Sequence, residues 1–184
     1  MLELKDASLT VGGRRLLSGF SMIAMDGQLT CVTGAAGSGK TLLARVMLGF
    51  QPLDAGFISL DGALLTPLSA PYLRRLMAYV PQQRPAAAEQ WQPRERQLRG
   101  LDEVWWPADE PPAAAVPPVD VSPELPPLAS RRVVIADDPA LELLGMLKAL
   151  AGEGRTVAVM SCREEYKSIS DKLITLDTND HHLS

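Results

Sequence analysis

Residues 34–41 read GAAGSGKT, with a short β-branched run, QLTCVT (residues 28–33), before them and an apolar-periodic stretch, Lys40 to Leu48, after them. No other stretch constrains the fold as tightly. A glycine-rich loop between a strand and a helix points its successive backbone N–H groups at one place, and the helix adds its positive N-terminal end. Gly34, Gly37 and Gly39 permit close approach and unusual dihedrals, while Ala35, Ala36 and Ser38 complete the loop. Lys40 is suited to the β- and γ-phosphates of a nucleotide, and the Thr41 hydroxyl to Mg²⁺. At roughly 7% glycine usage, a chance match in a chain this long is on the order of one in a hundred.

The flanking pattern extends this unit. Leu2, Leu4, Ala7 and Leu9 lie along one face of an extended segment, Arg15 to Met22 supplies its partner strand, and Gly12-Gly13 suits the turn between them. Gly49 is placed to end the helix that follows the loop. Phe57 to Leu60 reads as a strand closed by Asp61-Gly62. Ser69 is expected to cap a helix running to about Met77, with Pro71 in its first turn. Met77 to Val80 reads as a strand or a buried connection.

Beyond Arg131 the pattern is that of a parallel sheet. VVIA (residues 133–136) is a continuous apolar run, as expected of a strand buried on both faces. A helix over Pro139 to Ala151 follows, with Leu143, Leu144, Leu147 and Leu150 inward, then strands at TVAVMS (156–161) and KLITLD (172–177). Strands alternating with helices imply right-handed crossovers and a sheet covered on both sides.

The middle is different. Ten of the 15 prolines and all three tryptophans (Trp91, Trp105 and Trp106) fall between Arg84 and Leu128. That density of proline excludes a long helix or a central strand. The segment reads either as a solvated loop whose tryptophans fold back on the core or as a docking surface anchored by them. Arg94, Arg96 and Arg99 are locally balanced by Glu95, Asp102 and Glu103.

Composition narrows the function classes. A net charge of −4 argues against broad nucleic-acid binding. Cys31 and Cys162 do not suggest a disulfide framework, and a reducing cytosol is the simplest home. No run approaches the length of a membrane span, and the first residues lack a signal-peptide pattern, so a membrane role is expected to need a partner. His181 and His182 lie in a polar tail without further metal ligands nearby.

An acidic residue at the end of a buried strand is well placed to hold Mg²⁺ through its water shell, and Asp137 of VVIADDPA (133–140) is that candidate. The alternative is a carboxylate that caps the following helix, a role open to Asp138.

Together these stretches resemble the ATP-binding subunit of ATP-binding cassette (ABC) transporters. LGFQPLDAGFISLDG (48–62) resembles the family's stretch after the first helix, YLRRLMAYVPQQ (72–83) its approach to the Q-loop, VVIADDPA its Walker B strand and GRTVAVMSC (154–162) the strand before its switch histidine. The resemblance covers roughly residues 1–83 and 131–177. It implies an α/β fold, a P-loop nucleotide hydrolase core with an N-terminal antiparallel β subdomain, and a single domain over residues 1–184. Within it, residues 1–83 hold the β subdomain, Walker A and Q-loop, residues 84–130 a Pro-rich insert in place of the helical subdomain, and residues 131–184 Walker B and the C-terminal core. It implies ATP and Mg²⁺ as ligands, with the metal held by Thr41, Gln82 and Asp137, and catalytic roles for Asp138 and Gln82. It also implies a membrane permease and a second, complete cassette as partners, and a cytoplasmic place on the inner membrane's face.

The departures from the family bear on turnover. No stretch like Leu-Ser-Gly-Gly-Gln occurs between Arg84 and Arg132, Val11 stands where a base-stacking aromatic is expected, Asp138 where a glutamate is, and Cys162 where the histidine is. The D-loop also looks deleted, because Ala140 runs directly into the helix. Aspartate is one methylene shorter than glutamate, and a misplacement of about 1 Å can cost about a hundredfold in rate. A thiol is a weak donor, and losing one preorganised donor costs about 2.7–4 kcal/mol at the transition state. Ground-state grip is therefore expected to survive better than hydrolysis of ATP to ADP and phosphate. A homodimer cannot complete a site without the signature, whereas an intact partner cassette can complete one. A nucleotide-binding module without catalysis is the competing reading. A P-loop phosphotransferase is disfavoured, because two strands precede the loop and no acceptor lid is apparent.

Overall fold

A computed structural model describes residues 1–82 and 131–176, all within one compact unit. Two sheets organise it. The first is antiparallel, in the order β2-β1-β4-β5, with β1 Leu2–Val11, β2 Arg14–Ala24, β4 Ala55–Leu60 and β5 Ala63–Leu64. The expected alternation in β1 is realised: Leu2, Leu4, Ala7 and Leu9 are buried. β1 pairs β2 from Leu2↔Ala24 to Val11↔Arg14, with register shifts on the way, and the turn at Gly12-Gly13 has positive φ at both glycines.

The second sheet is parallel, in the order β6-β7-β8-β3-β9. Its strands are β3 Leu29–Thr33, β6 Met77–Val80, β7 Val133–Asp137, β8 Thr156–Met160 and β9 Lys172–Thr175. Every residue of β7 and β8 is buried, as a sheet covered on both faces requires. Successive side chains of a strand face opposite ways. Val133, Ile135, Ala158 and Met160 share one apolar core with α1 (Lys40–Met47) and the inner face of the antiparallel sheet. Residues of the other face lie toward α3 (Leu144–Gly152), which packs on β8 and β3, and α4 (Glu164–Ile169), which packs on β3.

Several expectations need correction. The helix expected from Pro139 begins later, as a 3₁₀ turn over Leu141–Leu143 that leads into α3, because the Asp138 N–H is held by the Met160 carbonyl of β8 and the Ala140 carbonyl by the Tyr166 hydroxyl of α4. Leu143 and Leu144 are only half-buried, while Leu147 and Leu150 are buried. Helix α2 is one short stretch, Ala70–Arg74. Ser69 does not cap it: its hydroxyl donates to the Leu64 carbonyl and accepts the Thr66 N–H at 2.9 Å, bracing the loop before the helix. Asp138 caps no helix either. The Pro-rich insert expected in place of the helical subdomain, and His181 and His182, lie outside the described residues.

Candidate phosphate-binding site

The glycine-rich loop joins β3 to α1 at the C-terminal edge of the parallel sheet, where open α/β sheets place their ligands. Gly37 and Gly39 have φ of 76° and 93°, a left-handed backbone that favours glycine. Gly39 precedes α1 without any side-chain cap, so the helix's first amides stay free for a ligand. Ser38 is buried, its N–H bonded to the Ala35 carbonyl at 3.1 Å, while Ala35, Ala36 and Gly37 are exposed along the rim.

Lys40 folds back over this loop. Its Nζ donates to the carbonyls of Gly34 and Ala35 at 2.7 and 2.9 Å and to Ser38 Oγ at 3.5 Å. These acceptors are neutral, and among the described residues no carboxylate forms an ion pair with Lys40.

Asp137, at the end of β7, presents the opposite imbalance. It is 2% exposed, and among the described residues its carboxylate accepts only from neutral donors, Thr41 Oγ1 at 3.1 Å and Tyr79 OH at 3.3 Å. Burial pushes its carboxyl above the ordinary range, the Thr41 and Tyr79 hydrogen bonds oppose this, and the neighbouring Asp138 charge adds to the rise. A cation facing neutral oxygens and a buried anion facing hydroxyls, joined through Lys40-Thr41, fit a metal-bound phosphate chain. Thr41 and Asp137 bring a hydroxyl and a carboxylate together, oxygen donors of the kind Mg²⁺ takes. Among the described residues no cluster of three or more His, Cys, Asp or Glu side chains surrounds a metal position. Water and phosphate oxygens would complete the shell, as Mg²⁺ prefers.

Asp138 sits beside this pair with φ 43°, an unusual backbone for aspartate. Its N–H bonds the Met160 carbonyl at 2.8 Å. Its carboxylate accepts Ser161 Oγ at 2.9 Å, pairs with Arg163 Nε at 3.3 Å and lies 3.5 Å from Gln82 Nε2. Gln82, exposed after β6, is thus brought to Asp138. Cys162 is exposed and takes no part in this network, and Cys31 is buried and free, its thiol pushed up to about 11 by burial. Val11 is 43% exposed at the tip of the β1–β2 hairpin. Leu16 on β2 comes nearer the loop, 3.8 Å from where a Gly39 Cβ would stand. An open cleft of about 370 Å³, lined by Leu16, Phe20, Leu176 and others, borders the loop on that side.

Tyr79, Ser161 and Arg163 were not singled out in the sequence. For Tyr79 a signal existed, since a residue two positions before Pro81 in a strand next to β7 lies opposite Ile135 and can reach its end. A serine and an arginine flanking Cys162 carry no such signal.

A five-stranded parallel sheet with a lysine-bearing glycine loop and an acidic strand end defines a P-loop nucleotide hydrolase core, here with an antiparallel sheet packed on it. The chain belongs to the ABC transporter family, whose sequence profile matches residues 17–161. It is 39% identical over 84 residues to the Fe(3+) ions import ATP-binding protein FbpC 2 of Pectobacterium atrosepticum, covering 45% of this chain and 24% of that protein. It is 39% identical over 82 residues to the hemin import ATP-binding protein HmuV of Jannaschia sp., covering 45% of this chain and 30% of that one. The chain thus matches less than a third of either relative's length. Among solved structures it resembles a dimeric ATP-binding cassette in a post-hydrolysis state bound to ADP and Pi, with a TM-score of 0.67 at 18% identity over 97% of this chain and 95% of that one. It also resembles a bacterial Atm1-family ABC exporter with ATP bound, with a TM-score of 0.65 at 18% identity, over 96% of this chain and 37% of that one. Among the described residues no helix is long and apolar enough to cross a membrane.

Proposed function

We propose that this chain is an ATP-binding subunit of an import-type ABC transporter that holds Mg-ATP and turns it over weakly. Residues 34–39 and Lys40 would cradle the phosphates, Thr41, Gln82 and Asp137 would hold the metal, and Val11 would touch the base. Mg²⁺ would neutralise the phosphate charge when bound. The observation that carries the reading is the paired imbalance of Lys40 and Asp137: among the described residues each hydrogen-bonds only neutral groups, and Arg45 is the one cation whose charge acts to lower the Asp137 carboxyl. Burying a charge without an opposite partner is costly, and a metal-bound triphosphate would relieve both at once.

Weak turnover follows from Asp138. A general base must offer a lone pair to water, but here the Ser161 hydroxyl already claims the carboxylate at 2.9 Å. The same observation favours the second reading, a nucleotide-binding module without catalysis. A membrane permease and an intact second cassette are the proposed partners, the latter supplying the signature that residues 84–132 lack. The place of action would be the cytoplasmic face of the inner membrane.

The test is a comparison of binding with turnover. The purified chain should bind Mg-ATP, and phosphate release should run about a hundredfold or more below that of an intact cassette. Robust turnover abolished by Lys40→Ala would overturn the weak-hydrolysis reading. Absence of Mg-ATP binding at millimolar concentration would overturn the whole proposal.

A further inference from the structure

Arg163 has no role in the site as drawn so far, yet it stands in it. It is the residue just before α4, with extended backbone (φ −72°, ψ 134°), and follows the C-terminal end of β8, the strand that pairs in parallel with β3 ahead of the glycine loop. Ser161, two residues earlier, hydrogen-bonds β3 through its N–H to the Val32 carbonyl at 3.0 Å, directly before that loop. The Arg163 N–H bonds Ser161 Oγ at 3.2 Å, and Ser161 Oγ bonds Asp138. The backbone here is braced again by Tyr166, whose hydroxyl donates to the Ala140 carbonyl at 2.7 Å. The backbone is tied at several points, whereas the guanidinium has one ion-pair contact among the described residues.

That guanidinium is lightly held. It contacts Asp138 through Nε at 3.3 Å, and its side chain is 39% exposed. A partly exposed single-contact pair of this kind contributes little, and a phosphate oxygen is a stronger partner for a guanidinium than one carboxylate contact at 3.3 Å. Gln82 approaches the other oxygen of the same carboxylate, so Arg163 and Gln82 meet at Asp138, the residue next to Asp137, whose own carboxylate accepts from Thr41.

We propose that Arg163 is the residue that recognises the terminal phosphate, exchanging Asp138 for it, so that this chain separates nucleoside triphosphate from diphosphate by a side chain of its own rather than by a partner's signature. This rests on the Mg-nucleotide reading given above. The loop and Lys40 would hold both nucleotides, and only the triphosphate would reach across to Arg163.

Calorimetric titration of the full chain with Mg-ATP and with Mg-ADP tests it, for the wild type, Arg163→Ala, Arg163→Gln and Arg163→Lys. The two neutral variants should lose about tenfold or more in ATP affinity, the range of one charge-assisted contact, and less than about twofold for ADP. Arg163→Lys should recover part of the ATP preference, because it keeps the charge but not the fork. Melting curves identify a variant that fails to fold, and Arg163→Gln, which keeps length and polarity, carries the test if Arg163→Ala does. Equal losses for ATP and ADP, or no loss in either, would overturn the assignment of Arg163. A wild type that binds both nucleotides equally would overturn it too, while leaving the Mg-nucleotide reading intact. A wild type that binds neither would overturn that reading and this inference with it.

Discussion

Gly34 has room for a hydrogen and for nothing larger. A Cβ there would stand 2.7 Å from Ser38 Oγ and 2.8 Å from the Leu176 carbonyl oxygen. Ser38 is buried and the Leu176 carbonyl is backbone, so neither gives way without moving β9 or the loop itself. Gly34→Ala is therefore expected to destabilise the chain by about 1–3 kcal/mol, the usual cost of forcing atoms into a filled space. It should also weaken Mg-ATP, because the displaced loop no longer aims its amides together. A denaturant midpoint and a binding titration on the same sample would check both, and unchanged values in both would contradict the packing around Gly34. At the opposite end of the sheet, Asp26 gathers three donors: the Met1 ammonium at 2.5 Å, Arg132 at 3.3 Å and the Thr156 hydroxyl. Burial by itself would raise its carboxyl, but the hydrogen bonds from the ammonium, Thr156 and Arg132 outweigh that and hold it at about 2, below the ordinary 3.8. A depressed carboxylate stabilises the fold above its unfolded value and loses that stabilisation as pH falls through the folded one. Asp26 is 38% exposed, so solvent screening limits the effect to about 1 kcal/mol or less. Asp26→Asn should therefore lower the unfolding midpoint at pH 7, and the gap to the wild type should close between pH 4 and about 2, as followed by circular dichroism. A gap that persists at pH 2 would contradict the network.

Among the elements, β7 and α4 mark the two ends of what could be read in advance. β7 is a run of apolar side chains buried on both faces, and such a run shows in sequence because nothing else tolerates it. The loop before α1 shows because its glycines and lysine have a chemical purpose at fixed spacing. α4 is six residues long and buries one side chain, Tyr166, so it completes too few turns to display a period. The late start of α3 was hidden for a related reason: Pro139 suits a first helical turn, but the Tyr166 hydroxyl fixes the Ala140 carbonyl, a long-range contact that local pattern does not encode. Thr41 meets Asp137 and Gln82 approaches Asp138, whereas Arg163 does not stand out in the sequence, since an arginine at the end of a strand usually reads as solvated surface. Tyr166 makes the cost of α4 measurable. It is fully buried, and its hydroxyl is pushed up to about 12 chiefly by that burial. Tyr166→Phe keeps the ring and strands the Ala140 carbonyl, so a loss of about 1–3 kcal/mol in unfolding free energy is expected. A neutral outcome would mean that water replaces the hydroxyl there.

At the scale of the whole molecule, the question is whether one side chain separates grip from turnover. Asp138→Glu restores the length that a general base is expected to have in this family. Two features argue that it will not restore the rate. The longer carboxylate would still face Ser161, whose hydroxyl competes with water for its oxygens. The chain also has no signature stretch to close over the nucleotide, and without closure the reacting atoms are neither aligned nor shielded from bulk water. Phosphate release by the isolated Asp138→Glu chain is therefore expected to stay within about tenfold of the wild type, far short of the hundredfold that repositioned chemistry can return. Adding an intact cassette should raise the rate more than the substitution does, because the partner brings the missing half of the site. If Asp138→Glu by itself raised turnover by about a hundredfold, side-chain length would be the dominant defect and the proposed need for a second cassette would fall.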